Sequence, residues 1–148
     1  MGARVWSRPA TEAATLLFSS CQAGHEEVVK LLLAEGARVD QADNKGATPL
    51  FITSQNGHQG VAKLLLANGA KVNQADNDGV TPLKMSSQNG HQEVVKLLLV
   101  SGANVNQADK DGDTPLYISS EEGHHEVVKL LLAHGAKANQ TEVKEAKE

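Results

Sequence analysis

With 148 residues, 40% apolar but only 3% aromatic, the chain has the size of one domain and must build its core from Leu, Val, Ile and Ala. Its net charge of −4, with lysines spread evenly and never bunched, argues against the clustered cations that a nucleic-acid surface needs. No apolar run nears the roughly 18–20 residues of a membrane span, and the lone Cys21 excludes an internal disulfide and points to a reducing compartment, cytoplasmic or nuclear.

The chain opens on residues 1–14, which hold Arg4 and Arg8 but no hydrophobic stretch, so no secretory signal is expected. Trp6 stands where modification of Gly2 by a myristoyl group would require Ser or Thr. The segment reads as an atypical N-terminal cap, with Trp6 over the end of the core.

Beyond this segment the chain repeats itself. Gly-His recurs at Gly24-His25, Gly57-His58, Gly90-His91 and Gly123-His124, and Leu-Leu-Leu begins at Leu31, Leu64, Leu97 and Leu130, each 33 residues after the last. Residues 45–77 and 78–110 are identical at 22 of 33 positions. A fixed period of this size signals a stacked array whose units bury their apolar faces against one another. The units span about 12–44, 45–77, 78–110 and 111–140, within a repeat domain over 15–140, and a charged tail occupies 141–148.

Each unit reads as two helices and a turn-rich finger. Thr48, Thr81 and Thr114 stand at expected N-caps, and Pro49, Pro82 and Pro115 in the first turn, where the missing N–H has no partner to lose. The first helix should end at the glycine of Gly-His. The second, "HQEVVKLLLVSG" in the third unit, carries a wide apolar face from Val94 to Leu99 and should stop at Gly102, as its counterparts stop at Gly36, Gly69 and Gly135. "VNQADNDG" then supplies turn residues. The first unit departs from this pattern: Leu16 replaces the proline and Ala13 the finger glycine, so no finger is expected there. In the second unit Gly60 and Ala62 should make the outer helix soft.

The pattern closely resembles the ankyrin repeat family, through Gly46-Ala47-Thr48-Pro49-Leu50, Gly57-His58, Val61 to Leu66, Gly69-Ala70 and Val72-Asn73 before Asp76. The resemblance covers roughly residues 15–140. It implies an all-α repeat solenoid, helix-turn-helix units with a β-hairpin-like finger, that binds a partner protein on a concave face without catalysis. The family carries His in the slot held here by Phe18, Phe51, Lys84 and Tyr117, where it ties neighbouring fingers together. The resemblance therefore implies that this network is missing, with Phe51 and Tyr117 packing in its place.

Candidate chemistry is sparse. The serines Ser54, Ser87 and Ser120 and the equivalent Cys21 fall at small-residue positions of the first helix, which favours packing over nucleophilic roles. His124, His125 and His134 lie near a turn and one helix without converging as metal ligands, and the Gly-His histidines read as caps or bridges. Neither cofactor nor metal is expected. Outer-helix charges such as Glu93 with Lys96 and Glu126 with Lys129 read as helix-face pairs.

Positions that the fold dictates should agree between units, so disagreement marks candidate contact residues. Two zones disagree. One is the finger: Asn44, Lys45 and Ala47, then Asn77, Asp78 and Val80, then Lys110, Asp111 and Asp113. The other is the inner helix: Phe51, Gln55 and Asn56, then Lys84, Gln88 and Asn89, then Tyr117, Glu121 and Glu122. The rows grow acidic toward the fourth unit, which points to a protein partner with a basic element there. The chain is expected to be monomeric. Two alternatives fit less of the pattern: a self-associating module stacking through open ends, and a consensus-like engineered scaffold, against which the irregular first unit speaks.

Overall fold

A computed structural model describes residues 10–138, and the cap residue Trp6 and the tail 141–148 lie outside them. Eight helices run in order: α1 (Ala10–Ala23), α2 (Glu26–Ala34), α3 (Pro49–Asn56), α4 (Gln59–Ala67), α5 (Pro82–Gln88), α6 (Gln92–Val100), α7 (Pro115–Glu121) and α8 (His125–Ala133). They form four antiparallel pairs. Inner helices α1, α3, α5 and α7 pack on one another in sequence, and outer helices α2, α4, α6 and α8 do the same behind them.

The inner helices start where the threonines dictate. Thr48, Thr81 and Thr114 are extended, and their hydroxyls accept from the backbone N–H of Phe51, Lys84 and Tyr117, each at 3.1 Å. The following proline disfavours helical backbone at the threonine itself, which fixes the boundary. In the first unit Leu16 imposes no such limit. There α1 runs back to Ala10 for 14 residues, taking in the positions of the missing finger.

The core obeys the period. Leu17, Leu50 and Leu83 of the inner helices, and Leu65, Leu98 and Leu131 of the outer ones, are at most 1% exposed. Each such leucine contributes about 2 kcal/mol by leaving water. Glu93–Lys96 and Glu126–Lys129 pair on the solvated outer helices at 3.9 and 3.4 Å. Glu26 instead reaches across to Gly60 of the next repeat, where a Cβ would collide with its carboxylate.

Among the described residues there is no strand, and no helix is long and apolar enough to cross a membrane. The fingers are paired turns joined edge to edge: Asn77 N–H donates to the carbonyl of Lys45 at 2.9 Å, and Lys110 N–H to that of Asp78 at 3.0 Å.

Candidate functional site

The Gly-His histidines bridge repeats. Nε2 of His58, His91 and His124 lies 2.9 Å from the carbonyls of Gln22, Gln55 and Gln88 in the preceding inner helix. A carbonyl only accepts, so Nε2 carries the proton in each ring. The rings lie so close over the previous repeat that a Cβ on Gly24, Gly57 or Gly90 would stand 2.6 Å from Nδ1. At Gly123, after which no described repeat stands, nothing lies within 4 Å. The histidine is thus part of the stacking surface, and none of these rings makes a side-chain cap.

The same carbonyls take a second donor. Asn56 and Asn89 donate through Nδ2 to Gln22 and Gln55 at 3.1 and 2.9 Å. Glu122, the fourth-unit counterpart, has no amide to give. Behind the fingers, Oδ1 of Asp40, Asn73 and Asn106 accepts from the backbone N–H of Lys71, Asn104 and Lys137 at 3.1, 2.7 and 3.0 Å.

Each finger is folded around an aspartate. Oδ1 of Asp43 accepts from the N–H of Lys45 and Ala47, that of Asp76 from Asp78 and Val80, and that of Asp109 from Asp111 and Asp113, all at 2.9–3.0 Å. The outer oxygen differs. Lys84 Nζ stands 3.4 Å from Asp109 Oδ2 and donates to Gln88 Oε1 at 3.0 Å. Lys84 is therefore 9% exposed, and Phe51 beside it 8%. The finger network that the family resemblance implied to be missing is in part restored, with an ammonium in place of an imidazole. Tyr117 instead donates its hydroxyl to Glu121 Oε2, one turn on, at 3.2 Å.

The variable residues thus divide by accessibility. Asn44, Lys45, Asn56, Asn77, Asp78, Asn89, Lys110, Asp111, Glu121 and Glu122 are exposed along the inner helices and finger tips. Gln55, Val80, Gln88, Asp113 and Tyr117 are half-buried. Ala47, Phe51 and Lys84 are buried and form the floor between helix and finger. Asp109 and its equivalents do not stand out among the variable positions, because they are identical in three units. That identity is the signal of their finger-folding role, but only the three-dimensional approach reveals Lys84 on the second oxygen.

Among the described residues, no hydrogen bond joins a serine or cysteine side chain to a histidine as a nucleophile is joined to its base. Ser86 and Ser119 donate to the carbonyls of Leu83 and Leu116 within their own helices. Ser54 and Ser87 bury their hydroxyls with no hydrogen-bond partner among the described residues. Cys21 is buried as well, and burial pushes its thiol up to about 11, opposed by the Thr53 hydroxyl beside it. It stays protonated at neutral pH. Among the described residues no three His, Cys, Asp or Glu side chains converge as metal ligands would.

A family model described as ankyrin repeats (3 copies) matches residues 5–76 and 72–142. A search of curated proteins finds no match.

Proposed function

The chain belongs to the ankyrin repeat family, whose members are protein–protein interaction modules, and from that premise we propose that it binds a partner protein on the face made by its inner helices and fingers, without catalysis. The observation that supports this most is the split between like and unlike positions. The histidines that bridge repeats, His58, His91 and His124, stand at a position that is His in every unit. Most of the positions that differ are exposed on one face, over a floor of Phe51 and Lys84.

The partner presents a basic element to the fourth repeat, where Asp111, Glu121 and Glu122 are exposed together. Complementary charge of this kind chiefly sets on-rate and partner choice. The protein acts as a monomeric scaffold in the cytoplasm or nucleus, occluding or bridging what it holds. Reversing the charge at Asp111, Glu121 and Glu122 tests the reading: affinity for a co-purifying protein should fall, and unchanged affinity would remove the acidic end from the site.

A second reading draws on the ends of the stack. Val28 is 44% exposed where Val61 is fully buried, and Leu132 is 54% exposed where Leu99 is 7%. Two such faces could stack head to tail between copies. Sedimentation velocity separates the readings, since self-stacking requires the sedimentation coefficient to rise with protein concentration.

A further inference from the structure

Between α1 and the first finger lies an open recess of about 630 Å³, lined by Phe18, Ser19, Asp43, Asn44 and Lys45 among others. We propose that it binds the ammonium group of a lysine side chain supplied by the partner protein. The inference rests on the reading of the chain as a protein-binding module and adds an anchor at the opposite end of the face from the acidic fourth repeat.

The chain itself contains the filled version of this site. Asp109 lies 25 positions after Lys84, and Asp43 the same interval after Phe18, at the same places in their repeats. Both aspartates commit Oδ1 to two backbone N–H groups of their finger. At Asp109 the other oxygen receives the Lys84 ammonium, which Gln88 also accepts, and the aspartate side chain is 5% exposed. At Asp43 no hydrogen bond from the described residues reaches Oδ2, the residue is exposed, and Gln22 stands at the position of Gln88. The first finger has the acid and the amide of the pair without the ammonium.

Phe18 supplies what a lysine needs besides charge. It is half-buried, and its ring offers an apolar wall for the methylene stem and a face for the cation. The middle finger is closed to such a ligand, since Phe51 is buried there and Asp76 half-buried. Lys45 also lines the recess and opposes an incoming cation. Its side chain is exposed and makes no ion pair with Asp43, so it weakens the site without filling it.

Titration of the whole chain with Nα-acetyl-lysine N-methylamide, monitored by NMR, tests the recess without any partner, so its failure would leave the broader binding reading standing. Shifts should concentrate at the Phe18 ring and the Asn44 and Lys45 amides, and the norleucine analogue should cause none. Asp43→Asn keeps the acceptor for the finger and loses the charge, and should weaken binding about fivefold, as expected for a solvent-exposed ion pair. Lys45→Ala should strengthen it, and Phe18→Lys should abolish it by filling the recess in place. Equal shifts from the norleucine analogue, or an affinity unmoved by Asp43→Asn, would overturn the proposal. So would binding that appears only after Arg4→Ala and Arg8→Ala, which would assign the recess to the chain's own N-terminal residues.

Discussion

Lys84 shows how much a single side chain's meaning depends on what approaches it. In sequence it interrupts an aromatic row; in the fold its ammonium lies between Asp109 and Gln88, joining the inner helix to the finger. Truncating it would leave a carboxylate buried without its partner, which costs more than the bond itself contributes. Lys84→Met should therefore lose about 2 kcal/mol in urea unfolding, and Lys84→Met with Asp109→Asn should recover at least half of that loss. The buried hydroxyls of Ser54 and Ser87 predict the opposite sign. Neither has a partner among the described residues, and Ser54→Ala or Ser87→Ala should each raise stability by about 1 kcal/mol, by removing an unsatisfied group from the core. The caps and the small-residue positions were legible from the sequence, because Thr-Pro and its spacing act locally. The Lys84–Asp109 pair was not, because it depends on how a finger folds back over a helix.

Among the elements, α1 and α4 depart most from the repeat, each for a local reason. Without proline at position 16, α1 extends backward through what would have been a finger, and the absence of that finger was readable from Leu16 and Ala13. Gly60 and Ala62 mark α4 in the sequence as the weak outer helix. Ala62 is nonetheless fully buried, so smaller side chains there are accommodated by packing. The nearest atoms to a side chain placed at Gly60 all belong to the flexible end of Glu26, which can swing into solvent. Gly60→Ala should therefore stabilise the protein by about 1 kcal/mol, the helix-propensity difference, and slow amide exchange along α4. A loss of stability would mean that Glu26 contributes more against the bare helix than its exposed position suggests.

At the scale of the whole molecule, neighbouring repeats are joined by one histidine bond, one or two amide bonds and a leucine-lined core, repeated along the stack. Such arrays are held by nearest-neighbour interfaces, so apart from the bridging Asn56, Asn77 and Asn89 the exposed variable positions have little part in stability. That separation makes the proposed face legible: comparing the chain with itself removes most of what the fold requires and leaves Asn44, Asp78, Asp111 and their neighbours. It could not show that Phe51 and Lys84 form the floor, because burial depends on the finger above them. The direct measurement is calorimetric affinity for the co-purifying partner, comparing two charge-reversed proteins. One carries Asp111→Lys, Glu121→Lys and Glu122→Lys on the inner face; the other carries Glu93→Lys and Glu126→Lys on the outer helices. The inner-face protein should bind about tenfold or more weakly, with the outer-face protein within about twofold of the unaltered chain. Equal binding by the inner-face protein, with loss confined to the outer-face one, would contradict the assignment of the partner to the inner helices and fingers.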